Sequence, residues 1–84
     1  MSIPAGQEAI YADLTEVFNE VFMRDDMHLT PELTARDVQG WDSFKQIEII
    51  VSVEDRFNIK LNTQEIDGLK NVGDLASVIV KKAK

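Results

Sequence analysis

An 84-residue chain has room for one domain, taken here as 1–84, built around one thin core. Its 44% hydrophobic and 29% charged residues describe a soluble globular chain, and the absence of cysteine excludes disulfide scaffolds, thiolate metal sites and cysteine nucleophiles. A formal net charge of -6 excludes a nucleic-acid binder, which needs a basic stripe to displace counterions, and suits partners with basic docking patches.

The N-terminal Met1-Ser2-Ile3-Pro4-Ala5-Gly6 lacks the basic and then apolar run of a secretory signal. No stretch is apolar for long enough to span a bilayer. The expectation is a cytoplasmic monomer with no membrane insertion. Ile10, Leu14, Val17, Phe18, Val21 and Phe22 then recur in steps of three and four, which predicts an amphipathic first helix. Pro4 is tolerated only in a first turn, so the helix is expected to start near it and to fail at Met23-Arg24-Asp25-Asp26.

From about Asp25 to Gly40 no period persists, and a connection of that length is unusual in a compact domain. Leu29, Leu33 and Val38 read as pins that tie this loop to the core. Asp25, Asp26 and Glu32 offer hard oxygen ligands but lack the spacing of a calcium loop, so they read as solvated charges, and no metal is expected.

A second helix is predicted from about Ser43 to Phe57, with a short extended exit through Ile59 and Leu61. Asn62 and Glu65 form the capping-box pattern of a short third helix that Gly68 ends. Asn71 can cap a last helix with Asp74 in its first turn and Leu75, Val78 and Ile79 on its apolar side. The basic tail from Lys81 complements the negative end of that helix. Without a strand signal, the expected fold class is all-α: a small four-helix bundle of three main helices and one short one, with a long loop between the first and second.

On a helical wheel the second helix puts Ile47, Ile50, Val53 and Phe57 in one core stripe. Lys45, Glu48, Ser52, Asp55 and Arg56 fall on the other side, and Phe44 and Val51 lie at the edge of or among these charges. Phe44 and Val51 are either incidental surface residues or the apolar centre of a docking face with acidic neighbours. Glu54 falls close to Ile47, where the wheel does not decide its exposure.

Ser43 starts this helix within Gly40-Trp41-Asp42-Ser43-Phe44. With Gln46 it makes a capping-box pair, and Asp42 is an alternative cap. A serine nucleophile needs a base, yet the single histidine is His28 in the loop and no glycine-rich nucleophile turn surrounds Ser43, which argues against a serine hydrolase. A second use of the hydroxyl is as an attachment point, because a phosphate there would sit at the positive end of a helix dipole.

The order of helices and loop resembles that of the acyl carrier proteins over the whole chain. The likeness centres on Gly40-Trp41-Asp42-Ser43-Phe44 followed by Ile47-Glu48-Ile49-Ile50, and continues through Val53-Glu54-Asp55-Arg56-Phe57-Asn58-Ile59. The resemblance implies a non-catalytic carrier in which Ser43 takes 4′-phosphopantetheine from coenzyme A through a phosphopantetheinyl transferase, with Asp42 as the motif residue before it. It implies docking of acyl-loading ligases and of acyl-transferring or condensing enzymes through Phe44, Glu48, Val51, Glu54 and Asp55. It also implies an acyl pocket, around which Ile47, Val53, Ile66, Leu69, Leu75 and Val78 are expected; ordinary core packing accounts for the same residues. Lys45 stands where the family is commonly acidic, Arg56 dilutes the negative charge, and Trp41 replaces a small residue. These departures point away from housekeeping fatty-acid synthesis to a dedicated fatty-acid, lipid or polyketide-type pathway. The alternatives are a peptidyl or aminoacyl carrier loaded by an adenylating ligase, and an unmodified helical interaction module in which Ser43 only caps.

Overall fold

In a computed structural model that describes residues 6–82, the chain folds into four helices, α1 (Glu8–Phe22), α2 (Ser43–Phe57), α3 (Thr63–Asp67) and α4 (Val72–Lys82), with no strand among the described residues. This is the all-α arrangement expected from the sequence. A single 3₁₀ turn, Ala35–Asp37, interrupts the long connection between α1 and α2. None of the described helices is long and apolar enough to cross a membrane.

The expected start of α1 near Pro4 falls outside the described residues, but Gly6 and Gln7 are already non-helical and the helix begins at Glu8. Gly6 takes a φ of +87°, a left-handed conformation that a helix cannot include. Tyr11, Leu14, Val17, Phe18 and Val21 form the buried stripe, while Ile10 and Phe22 pack at its edge. Met23 turns the chain out of α1 in the left-handed region, and Arg24 closes the end with an N–H to Asn19 O bond of 2.9 Å.

The loop is pinned as the spaced apolar residues predict. Leu29 and Val38 are buried and Leu33 is partly so, and Met27 joins them as a pin the pattern did not single out. Its backbone N–H donates to Asn19 Oδ1 at 3.0 Å. Thr34 and Asp37 close the 3₁₀ turn reciprocally, the Asp37 carboxylate accepting from the Thr34 backbone N–H at 3.0 Å. Farther along, the Val72 and Gly73 N–H groups at the start of α4 donate to Leu33 O and Pro31 O, each at 2.9 Å. A Cβ on Gly73 would lie 3.0 Å from Pro31 O, so only glycine admits this approach without displacement.

Helix α2 corrects the wheel. Ile49, Ile50 and Val53 are buried, whereas Ile47 is 60% exposed. The helix is turned so that Gln46, not Ile47, faces inward, where its Oε1 accepts the Trp41 indole N–H at 2.8 Å. Trp41 in turn stands edge-on to Phe18 and Phe22, with ring centroids 5.2 and 6.1 Å away. Asn58 ends α2 in the left-handed region, and Ile59 and Leu61 beyond it are buried. The capping box of α3 forms as its sequence predicts: Asn62 Oδ1 accepts from Glu65 N–H at 2.8 Å, and Glu65 Oε1 accepts from Asn62 N–H at 2.9 Å. Asn71 caps α4 through its Oδ1, which accepts the Asp74 N–H at 2.8 Å. Val72, Leu75, Ala76 and Ile79 bury the inner face of α4. Leu14, Phe18, Ile49, Val53 and Ile79 meet at the centre with at most 1% of their surface exposed. Burial of each such side chain is worth about 1.5–3 kcal/mol, and together they fix the frame that carries the start of α2.

Candidate functional site

The chain reaches α2 through Gly40, whose φ of +89° makes the turn, and then Trp41, which anchors the segment on α1. Asp42 is extended and serves as the N-cap, its Oδ1 accepting the Lys45 N–H at 2.9 Å. The Ser43–Gln46 capping pair expected as one alternative does not form. A cap needs extended backbone, which Asp42 has and Ser43, already the first helical residue, lacks. Gln46 is committed to Trp41. The Ser43 side chain is consequently exposed, and its hydroxyl makes no hydrogen bond among the described residues. Asp42 thus takes the capping role and leaves the serine oxygen free at the positive end of a 15-residue helix.

Beside Ser43 lies a cleft of about 460 Å³. Asp42, Ser43, Trp41 and Gln46 form one wall, and Ile66, Leu69, Val72 and Leu75 form the other. Of the residues expected around an acyl pocket, Ile66, Leu69 and Leu75 line this cleft. Val53 does not, because it is wholly buried in the core. Val78 is absent from the lining and packs against the core from the partly buried side of α4. Ile47 points away, on the outer face of α2. Trp41, Gln46 and Val72 are lining residues that the periodicity missed. Trp41 was accessible to sequence reasoning as the large apolar residue two positions before Ser43, but its direction depends on Phe18 and Phe22 from another helix.

The outer face of α2 exposes Phe44 at 76%, Ile47 at 60% and Val51 at 58%. Asp55 is exposed nearby. Glu48 lies 3.4 Å from Lys45 Nζ, and that ammonium also donates to Val21 O at 3.0 Å at the end of α1. Glu54 is partly buried, and its Oε2 accepts the Leu61 N–H at 2.9 Å. Arg56 reaches across to Asp13 and Glu16 of α1. In the loop, Asp26 pairs with Arg24 at 2.8 Å, and the guanidinium holds its carboxyl below the usual carboxylate range. No cluster of three or more potential metal ligands gathers among the described residues.

The structure thus combines a four-helix bundle, an exposed serine on the first residue of α2 and an apolar cleft beside it. Residues 12–79 match the family described as "Phosphopantetheine attachment site". The chain is 34% identical over 79 residues to the meromycolate extension acyl carrier protein of Mycobacterium tuberculosis, covering 94% of this chain and 69% of that one. It is 35% identical over 75 residues to the acyl carrier protein of Myxococcus xanthus, covering 89% and 95% respectively. The solution structure of holo acyl carrier protein from Geobacter metallireducens superposes with a TM-score of 0.81 at 43% identity, covering 86% of this chain and 83% of that one. The chain belongs to the acyl carrier protein family, and the cofactor of that family is a covalently bound phosphopantetheine.

Proposed function

We propose that residues 1–84 form a single, non-catalytic acyl-carrier domain that bears its phosphopantetheine on Ser43 and acts as a cytoplasmic monomer. The observation that carries this reading is the exposed, unbonded Ser43 hydroxyl on the first residue of α2, with the cap supplied by its neighbour Asp42. Ser43 Oγ forms the new phosphodiester bond and gives up its proton, while the diphosphate P–O bond of coenzyme A breaks and adenosine 3′,5′-bisphosphate leaves. No side chain of this chain bonds that hydroxyl among the described residues, so the base belongs to the transferase. The bound arm supplies a terminal thiol that holds an acyl group as a thioester.

The cleft walled by Ile66, Leu69 and Leu75 is placed to shelter apolar cargo next to the attachment point. Phe44, Glu48, Val51, Glu54 and Asp55 are the candidate docking residues for the transferase, the loading ligase and the condensing enzymes. A shuttle must leave each partner, so weak and rapidly exchanging contacts suit it. Lys45, Arg56 and Trp41, together with relatives named for meromycolate extension, favour a dedicated lipid-type pathway. Incubation with coenzyme A and a broad-specificity phosphopantetheinyl transferase, read by intact mass, tests the assignment. The expected result is one added arm on the native chain and none on Ser43→Ala. No addition to the folded native chain, or equal addition to both, would overturn it.

A further inference from the structure

Two side-chain amides line the cleft beside Ser43, and both have their oxygen committed elsewhere. The indole N–H of Trp41 can only donate, so the Gln46 atom that it meets at 2.8 Å is Oε1 and the orientation of that amide is fixed. Gln46 Nε2 keeps two N–H groups with no acceptor among the described residues. Asn71, next to Val72 on the other wall, is oriented by the same logic. Its Oδ1 accepts the Asp74 N–H at 2.8 Å, and its Nδ2 has no acceptor among the described residues. Turning either amide over would set N–H against N–H, so both keep their donor side uncommitted. Each side chain is half-buried, and solvent satisfies these donors until something covers them.

We propose that Gln46 and Asn71 determine which cargo the cleft shelters, holding acyl chains that carry a second oxygen beside the thioester in preference to saturated chains. The proposal rests on the carrier reading above. Any acyl thioester brings one oxygen, its own carbonyl, which can accept from one of the two amides. A saturated chain laid against Leu69 and Leu75 then covers the other amide and offers it nothing. A donor buried without an acceptor is penalised by more than a completed hydrogen bond contributes, so the saturated chain is the disfavoured guest. An oxygen on C3, as carbonyl or hydroxyl, supplies the missing acceptor, and the rest of the chain keeps the same apolar wall. Ser43 stands one turn before Gln46 on α2, so the thioester end of a chain folded back into the cleft is the part that meets these donors.

The test loads the full chain with a phosphopantetheinyl transferase from octanoyl-coenzyme A or 3-hydroxyoctanoyl-coenzyme A, confirms each product by intact mass, and compares their melting temperatures. The native 3-hydroxyoctanoyl form is expected to melt at least about 3 °C above the octanoyl form, the scale of one net hydrogen bond in a domain of this size. Gln46→Glu keeps an acceptor for the Trp41 indole but loses the donors, and Asn71→Asp keeps the cap on the Asp74 N–H and loses them likewise. Each variant is expected to reduce the difference between its two loaded forms to less than about half the native one, a comparison in which any general change of stability cancels. Should one variant fail to fold, the other decides. A native difference below about 3 °C, or a difference above about half its native size in a folded variant, overturns the proposal and leaves the Ser43 assignment intact. Absence of any mass increase overturns the Ser43 assignment and this proposal with it.

Discussion

Two side chains differ in how their polar atoms are satisfied. Asp42 occupies the cap position through its bond to the Lys45 N–H, and this frees Ser43 for other use. Asp42→Ala is expected to cost about 1 kcal/mol in a urea titration, the usual loss for an N-cap, and to fray the turn that holds Ser43. Tyr11 presents the opposite case: its ring is buried in α1, but its hydroxyl has no hydrogen-bond partner among the described residues. Tyr11→Phe removes an unpaired buried hydroxyl and is expected to raise stability by about 1 kcal/mol. Burial first, and then the nearby Glu32 carboxylate, push the Tyr11 phenol above its ordinary value. The folded state thus retains a proton that the unfolded chain releases at lower pH, so stability falls as pH rises through the ordinary tyrosine range near 10. Chemical denaturation above that pH should show a shallower loss in Tyr11→Phe than in the native chain.

At the scale of the helices, α3 is the shortest at five residues, and its ends hold it in place. Glu65 closes the capping box with Asn62 and reaches Lys82 of α4 at 3.0 Å. The Asn62 backbone N–H, and then Lys82, hold its carboxyl below the ordinary glutamate value. This stabilisation is present above the unfolded value and is lost as pH falls through the lowered folded one. Glu65→Gln is therefore expected to flatten the acid limb of a stability profile followed by far-UV circular dichroism. The same capping box was legible in the sequence because its partners are three residues apart. So were the ends of α2 and the pins Leu29, Leu33 and Val38. The 3₁₀ turn was missed although Thr34 and Asp37 carry a related reciprocal signal at the same spacing. The rotation of α2 was not legible, since periodicity fixes a stripe only to within a neighbouring residue and Trp41 decided between Gln46 and Ile47. The cleft lining was half legible for a similar reason: Ile66, Leu69 and Leu75 follow from helix faces, whereas Trp41 and Gln46 depend on contacts across the fold.

Across the whole molecule, the core is small enough that one side chain carries much of the stability. Phe18 is fully buried and packs edge-to-face against Trp41, so it links the centre of the bundle to the wall of the cleft. Phe18→Ala is expected to cost about 3–5 kcal/mol, a large part of the roughly 5–15 kcal/mol typical of native proteins. Thermal unfolding followed by tryptophan emission should show both the lowered midpoint and a more solvated Trp41. The bonds from Val72 and Gly73 to Leu33 and Pro31 have a different consequence. First-turn amides of a helix ordinarily lack an acceptor within the helix and exchange readily with solvent. Here their acceptors belong to the long loop, some forty residues earlier in the chain. In hydrogen–deuterium exchange, these two amides should therefore be protected when the native chain is folded and should report the detachment of the loop, even while the rest of α4 stays helical.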